Sequence, residues 1–331
     1  MSLTYVLSPL AGWLGGQLGA VDRPNQRKIH RDPVPRTGGI AIFLAFIITA
    51  FSYRSKTFSP QVTGILLGSG VIFLVGLVDD MRGLSALPKM VGQVIAAGLA
   101  VGYGVKVSLC PAGFFGEVGD IVISMIGIIG VLNAFNFLDG LDGLATSLAV
   151  IASLSFVMIA WVTGQTGIAY LGAALAGAAA GFLPHNAKNA KMFLGDSGST
   201  FLGYMLAVLA IGGSWDDRGA MEAMSIPVLI LGIPIFDMIY TTVSRVKNGL
   251  VRTVREWLEY TGTDHFHHRL LHLGFTRTQT LLFICLVQLT LGCSAVAASR
   301  AGPLTASLLI CQGTLTFTMI MFLMLVGRSQ E

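Results

Sequence analysis

Charged residues are scarce in this sequence. Asp, Glu, Lys and Arg make up 11% of its 331 residues, and 53% of the residues are hydrophobic. Soluble domains carry about 25% charged residues. Long apolar runs recur along the whole chain. Each can cross a hydrocarbon core of roughly 30 Å as a helix that rises about 1.5 Å per residue. The composition excludes a soluble globular protein and predicts an all-α, polytopic membrane protein.

Cysteine is scarce as well, and its placement excludes two classes of site. The four cysteines, Cys110, Cys285, Cys293 and Cys311, form no CxxC pair. Neither a disulfide framework nor a thiolate metal site is therefore indicated. Basic residues are not interleaved with aromatic ones in any run, which argues against nucleic acid as a partner.

The apolar runs predict about 11 transmembrane helices within one integral-membrane domain, 1–331. The predicted spans are 3–20, 38–53, 60–78, 88–104, 119–136, 143–162, 167–183, 199–212, 222–243, 278–298 and 303–326. Most of the 21 Lys and Arg residues lie in connections on one side, including 21–37 and 244–277. The positive-inside rule places that side in the cytoplasm, with the N-terminus outside and the C-terminus inside.

The polar clusters all lie on this predicted cytoplasmic side. Away from the span edges, Asp237 is the one ionisable residue within a span. A coupled transporter usually carries ionisable groups near the middle of the membrane. The pattern therefore favours an enzyme with its catalytic site on the cytoplasmic face over a transporter or lipid flippase. A membrane phosphatase is a weaker alternative, because it needs no nucleotide-sized set of loops.

The third span ends in two adjacent carboxylates, Asp79 and Asp80. Such a pair is costly at an apolar helix end without a cation or a metal. The two side chains project in different directions, so at most one is expected to face a shared site. Lys89 is placed to hold a phosphate. The first basic loop, which contains Lys28 and His30, can bind a phosphorylated ligand or serve only as a positive-inside anchor.

The fifth span ends in NAFNFLDGLDGLA, where four polar residues recur at intervals of three. They are Asn133, Asn136, Asp139 and Asp142. The glycines between them let the backbone unwind and a ligand approach the main chain. Oxygen ligands of this kind suit Mg²⁺ or Mn²⁺. Simple Asp-Gly turns are the alternative.

The loop HNAKNAKMFLGDSGS precedes the eighth span and contains Asn186, Lys191 and Asp196. Glycines and a local Ser or Asp cap predict a helix start with free backbone amides, which suits a phosphate or pyrophosphate. Asp196 is placed to hold a divalent cation against it. A plain capping signal is the alternative.

The long connection 244–277 begins with LVRTVREWLEY, which predicts an amphipathic helix lying in the membrane interface. The segment HFHHR follows. Its polar residues are His265, His267, His268 and Arg269. Because no thiol partners accompany them, contact with phosphate or nucleotide is favoured over zinc. Asp237 is left open as a buried acid paired with a basic residue.

Together, DDxxGL, NxxNxxDGxDGLA, FLGDSGS and HxHHRL resemble the polyprenyl-phosphate N-acetylhexosamine-1-phosphate transferases over roughly residues 20–280. The resemblance implies an eleven-span inner-membrane enzyme that needs Mg²⁺, with Mn²⁺ as a substitute. Such enzymes transfer a sugar phosphate from a UDP-N-acetylhexosamine to undecaprenyl phosphate and release UMP, the first membrane step of a cell-surface glycan pathway. Membrane lipids are further partners, and a homodimer is one possible assembly.

The resemblance also implies roles for individual residues. Asp196 and Asn136 would hold the metal, Lys89 a phosphate, and Asp79 would be the base on the lipid phosphate. Asp139 and Asp142 would lie near the nucleoside, and HFHHR would contact phosphates or sugar. One-step displacement is favoured, with a covalent intermediate on Asp196 or Asp80 as the alternative. The HFHHRL form favours UDP-GlcNAc over UDP-MurNAc-pentapeptide or a UDP-linked deoxy-hexosamine.

Overall fold

The computed structural model describes residues 1–22, 33–52, 59–187, 189–215, 220–253, 256–257, 260, 262 and 264–328. The chain forms two compact units, Met1–Gly213 and Ser214–Glu331. Within the described residues there are thirteen helices and one two-stranded sheet.

The first unit contains eight helices and both short strands in its described part. Its elements are α1 Ser2–Leu18, β1 Val21–Asp22, β2 Val34–Pro35, α2 Gly38–Phe51, α3 Pro60–Arg82, α4 Ala86–Gly102, α5 Phe114–Leu138, α6 Leu144–Val162, α7 Thr166–Asn186 and α8 Gly195–Gly212. The described part of the second unit contains α9 Ala220–Ile230, α10 Gly232–Lys247, α11 Phe266–His272, α12 Arg277–Ala298 and α13 Pro303–Arg328.

Each predicted span coincides with a helix, or with the pair α9 and α10 in the case of 222–243. The sequence did not predict the antiparallel pairing of β1 with β2, which flank residues 23–32. In the described part of the chain, six helices are long and apolar enough to cross a membrane: α3, α5, α6, α7, α12 and, over Pro303–Leu323, α13. The bent pair α9 and α10 would make a seventh. The protein is therefore a polytopic membrane protein.

The helices α9 and α10 meet at an angle of 83°. Pro234, in the first turn of α10, has no N–H and cannot bond the carbonyl four residues earlier, that of Ile230. The side-chain amide of Gln288, on α12, donates to this carbonyl instead. The bend is therefore a proline kink whose freed carbonyl is satisfied by a neighbouring helix.

Helix α8 lies at the centre of the first unit. Nearly all of its side chains are buried, and it packs against α2, α3, α5 and α6. Small residues allow the close approach: a Cβ at Gly76 of α3 would meet the backbone of Ser197, and one at Gly203 would meet that of Leu132. Contacts of this kind are typical of membrane helices, whose backbones approach at glycines.

The start of α8 is also held by the segment that follows β2. The N–H of Phe193 donates to the carbonyl of Pro35 at 2.9 Å, and the N–H of Gly38 donates back to the carbonyl of Phe193 at 3.0 Å. The N–H of Gly39 bonds the carbonyl of Leu194 at 2.9 Å. The end of the first basic loop therefore lies against the start of α8.

Candidate active site

Two helix ends that are far apart in sequence meet at Asp80. Helix α3 continues to Arg82, so Asp80 lies in its last turn rather than beyond it. Its two carboxylate oxygens accept the backbone N–H groups of Asp196, at 2.7 Å, and Ser197, at 2.9 Å. Helix α8 begins at Gly195 and has no local side-chain cap. The prediction of a local cap with free amides is therefore wrong for these two groups, because Asp80 occupies them.

Lys89 bridges the two other carboxylates of the site. Its ammonium contacts the carboxylate of Asp79 and lies 2.9 Å from Oδ2 of Asp196. The other Asp79 oxygen accepts the N–H of Leu84 at 2.6 Å. Both members of the Asp79–Asp80 pair therefore reach the start of α8, one through Lys89 and one directly. The two side chains nevertheless point in different directions: Asp79 lines the pocket beside this cluster, whereas Asp80 faces backbone amides and does not line it.

Two further groups lie around Asp196. The amide nitrogen of Asn136 lies 3.4 Å from Oδ1 of Asp196 and donates to Oγ of Ser199 at 2.9 Å. The guanidinium of Arg36 lies 4.0 Å from the same Asp196 oxygen. Sequence reasoning did not single out Arg36, although it belongs to the basic loop. The signal that could have found it is its place directly before the Thr-Gly-Gly that starts α2.

A small pocket opens beside this cluster. Its lining residues come from α3, α4 and α8: Ile72, Val75, Gly76, Asp79, Lys89, Gln93, Asp196 and Thr200. Apolar α3 side chains line one part of it, while the charged groups line another. The amides of Gln93 and Asn133 bond each other in both directions, at 3.1 and 2.8 Å. Asn133 thus contacts the pocket wall through Gln93.

The chain leaves the helix at Asp139, as the glycines that follow it predicted. Helix α5 ends at Leu138, and Gly143 adopts a left-handed conformation with φ 76°. Asp142 accepts the N–H of Ala190 at 3.3 Å. Burial raises the pKa of Asp139 well above its usual value, the charge of Asp196 raises it further, and Arg36 opposes both. Asp139 is therefore close enough to Asp196 to sense its charge.

Asn186 and Lys191 differ in their surroundings. Asn186 is buried; its side chain accepts from Thr146 at 2.9 Å and donates to the carbonyl of Met192 at 3.1 Å. Asn186 thus fixes the loop before α8, whereas the side chain of Lys191 is exposed. Two positions from the sequence predictions, Lys28 and His30, lie outside the described residues.

In the second unit, the histidine segment forms the start of α11. His265 Nδ1 lies 2.7 Å from Asp237, and Arg245 donates to His265 Nε2 at 3.0 Å. Arg269 donates to the carbonyl of Asp264 at 3.0 Å. Asp237, which the sequence left open, is therefore a buried acid paired with a histidine.

The next two histidines lie in different environments. His267 is buried, and neither ring nitrogen has a hydrogen-bond partner among the described residues. Burial lowers the pKa of His267 well below its usual value, and burial also lowers the pKa of the half-buried His268. Both rings are therefore expected to be neutral at pH 7. Of the predicted interfacial helix, residues 254–255 and 258–259 lie outside the described part.

Comparison with known proteins identifies the family. The family model described as glycosyl transferase family 4 matches residues 62–214. A probable undecaprenyl-phosphate N-acetylglucosaminyl 1-phosphate transferase of Bacillus subtilis is 31% identical over 328 residues, covering 98% of this chain and 88% of the relative. The chain belongs to glycosyl transferase family 4.

Two further proteins that are similar to this chain also have names that describe transferases acting on a polyprenyl phosphate. The decaprenyl-phosphate N-acetylglucosaminephosphotransferase of Mycobacterium tuberculosis is 33% identical over 316 residues, covering 86% of this chain and 77% of the relative. The undecaprenyl-phosphate alpha-N-acetylglucosaminyl 1-phosphate transferase of Escherichia coli is 26% identical over 295 residues, covering 85% and 77%.

The donor atoms around Asp196 suit a magnesium ion that is only partly held by protein. The described residues contain no group of three His, Cys, Asp or Glu side chains arranged around one metal position. Asp196 supplies a carboxylate, and the side chain of Asn136 lies beside it with its amide nitrogen 3.4 Å from Oδ1, so the Asn136 amide would have to turn for its oxygen to face the same position. Mg²⁺ is usually bound by one or two carboxylates, with water and substrate phosphates supplying the remaining oxygens. This set suits Mg²⁺ and not a soft metal.

Proposed function

We propose that the chain transfers N-acetylglucosamine-1-phosphate from UDP-N-acetylglucosamine to undecaprenyl phosphate and releases UMP. The names of its relatives support this reaction. The observation that carries the proposal is the position of Lys89 between Asp79 and Asp196 beside a partly apolar pocket. A cation at this position can bind a phosphate. Asp79 can accept the proton of that phosphate, and Asp196 can bind a metal ion.

The reaction requires two anionic phosphates to meet, so their repulsion has to be reduced. The ammonium of Lys89 contacts two carboxylates, so its single positive charge is shared between Asp79 and Asp196. About a third of its side chain is exposed, so it can turn toward the oxygens of the lipid phosphate with little loss of packing. Asp79 then takes the proton of that phosphate, which leaves an oxygen lone pair free to attack.

We assign Asp196 and Asn136 to Mg²⁺, for which Mn²⁺ can substitute. When bound, the divalent cation neutralises charge on the donor pyrophosphate. We favour direct displacement in one step, with a covalent intermediate on Asp196 as the alternative. Asp80 is a poor nucleophile, because backbone amides occupy both of its oxygens. Its role in this proposal is to hold Asp196 in position.

Other residues complete the proposed substrate contacts. The donor or the lipid headgroup would be contacted, directly or through a neighbour, by Lys28, His30, Asn133, Asp139, Asp142, Asn186, Lys191, His265, His267, His268 and Arg269. We further propose one transferase domain over 1–331, with eleven spans, an interfacial helix in 244–277 and the active site facing the cytoplasm. The helix, or in one case the bent helix pair, found at every predicted span supports the eleven helical segments of this proposal.

The test is transfer of radiolabelled sugar phosphate to undecaprenyl phosphate by the purified full-length chain in detergent. The donors are UDP-GlcNAc, UDP-MurNAc-pentapeptide and a UDP-linked deoxy-hexosamine, each with Mg²⁺ and with EDTA. The proposal expects labelled lipid from UDP-GlcNAc only in the presence of Mg²⁺. If only another donor gave labelled lipid, the proposed sugar would be wrong. If no donor gave labelled lipid, the proposed reaction class would be wrong.

A further inference from the structure

Four buried or partly buried polar side chains of the second unit form one hydrogen-bonded network. Arg245 donates to both carboxylate oxygens of Asp264, at 2.8 and 2.7 Å, and to His265 Nε2 at 3.0 Å. Asp237 bonds the opposite ring nitrogen of His265 at 2.7 Å. The side chains of Asp237 and Arg245 are almost completely buried. A buried charge is costly unless it is paired in this way.

The partners of His265 fix its tautomer. A guanidinium has only donors, so Nε2, which faces Arg245, has to accept. Nδ1 then carries the proton and donates it to Asp237. A doubly protonated ring would point an N–H at the N–H of Arg245. His265 is therefore held in one orientation, and both of its ring nitrogens are used by the protein.

The same network sets the start of α11. The second oxygen of Asp237 accepts the N–H of Phe266, the first helical residue, at 2.7 Å. Asp264, held by Arg245, offers its carbonyl to the side chain of Arg269 at 3.0 Å. Asp237 and Arg245, both on α10, thereby determine how α11 presents His268 and Arg269.

We propose that Asp237 and Arg245 are positioning residues that act through His265 and orient α11 for donor binding, and that His265 itself makes no substrate contact. The inference rests on the proposed function, because the donor is a UDP-sugar. In this proposal His265 is the centre of a supporting network and not a residue that contacts the substrate. Replacing the carboxylates that orient metal-binding histidines typically costs about 10- to 100-fold in affinity or activity, and we use that range by analogy for Asp237.

Asp237→Asn isolates the contact with the ring. The asparagine oxygen can still accept the N–H of Phe266, but its NH₂ group would then face Nδ1 of His265. The ring has to change tautomer, which turns Nε2–H against Arg245. We expect the KM for UDP-GlcNAc to rise by about tenfold or more. The KM for undecaprenyl phosphate should change little, whereas the unfolding temperature should fall, because two N–H donors would then face each other in a buried network.

The matched control is Asp120→Asn, because Asp120 is also buried and accepts the N–H groups of Leu109 and Cys110, at 2.9 and 3.0 Å. We expect it to lower the unfolding temperature without changing either KM. If Asp237→Asn, like this control, lowered the unfolding temperature and left both KM values unchanged, the inference would be overturned. Asp237 would then act in folding alone.

A double-mutant cycle tests whether Asp237 acts through His265. We expect Asp237→Asn combined with His265→Ala to raise the KM for UDP-GlcNAc no more than His265→Ala alone. Additive effects would show that His265 contacts the donor independently and would overturn the proposal. If the unaltered enzyme gave no labelled lipid with any donor, the proposed function would fail first. Normal transfer by the unaltered enzyme, together with an Asp237→Asn variant whose KM for UDP-GlcNAc is unchanged, would remove only this inference.

Discussion

Asp80, at the end of α3, accepts the backbone N–H of Asp196, in the first turn of α8, at 2.7 Å. The two residues are 116 positions apart in sequence, and the bond fixes the backbone that carries the central carboxylate of the site. A charged acceptor at a helix N-terminus also interacts favourably with the helix dipole. The first unit therefore uses one aspartate of the pair to position another element and leaves Asp79 to contact Lys89.

Asp80→Asn tests this relationship. The amide has a single acceptor oxygen for two backbone N–H groups, so one of them is left without its partner at a cost of about 1–3 kcal/mol. We expect transfer to fall by about 10- to 100-fold, as for a residue that acts through its neighbour. The measurement is the initial rate of labelled lipid formation. A folded variant with no transfer at all would instead favour Asp80 as a nucleophile.

Asp196→Asn should abolish Mg²⁺-dependent transfer while the protein stays folded in the membrane. The substitution removes the charge that attracts both Lys89 and the proposed cation, but it keeps the size of a partly buried side chain. Transfer is measured against Mg²⁺ concentration, and the unfolding temperature in detergent serves as the control. Full activity with an unchanged Mg²⁺ dependence would remove the metal assignment.

Lys89→Ala should raise the KM for undecaprenyl phosphate by about 10- to 100-fold, because a hydrogen bond to a charged group contributes about 1.5–3 kcal/mol. The substitution also leaves Asp79 and Asp196 without their shared cation. The comparison variant is Lys106→Ala, which removes a lysine paired with Glu117 at an exposed position. Equal kinetics for the two variants would count against a phosphate role for Lys89.

The apolar runs were sufficient to locate the long helices of this chain, because an apolar helix is specified by local composition, whereas the short α11 was not predicted. Every predicted span is a helix or a bent pair of helices. The boundaries at the site were less accurate: α3 extends past 78 to Arg82, and α8 begins at Gly195 instead of 199. Helix ends are set by capping partners, and here the cap is Asp80 from another helix.

The same reasoning explains which site residues the sequence missed. The motifs named Asp79, Lys89 and Asp196, which the structure brings together. They could not show that Asn133 is bonded to Gln93, because the partner lies on another helix, 40 residues earlier. Spacing of three places side chains on one helix face, but it does not say what lies opposite. Long-range pairing is therefore the part that required the structure.

Asp139 should give the protein a pH-dependent stability. Burial raises its pKa in the folded state, while the unfolded value is about 3.9. The folded state therefore binds this proton more tightly, and the contribution to stability is lost as pH rises from about 4 through the folded pKa. Asp139→Asn removes this dependence. We expect the unfolding temperature of the variant, relative to the unaltered protein, to increase with pH. Parallel plots of unfolding temperature against pH for the two proteins would contradict this prediction.

Gly76→Ala tests whether the close contact between α3 and α8 is required. A Cβ at Gly76 would meet the backbone of Ser197, directly beside the N–H groups that Asp80 holds. Overpacking of this kind costs about 1–3 kcal/mol, so we expect a lower unfolding temperature and reduced transfer.

Gly70→Ala on the same helix is the matched control, because a Cβ there meets no atom within 4 Å. It should be neutral or slightly stabilising, since alanine favours a helix by about 0.8–1.0 kcal/mol over glycine. Similar losses in both variants would show that α3 tolerates no alanine at all, and the specific contact with α8 would then lose its support.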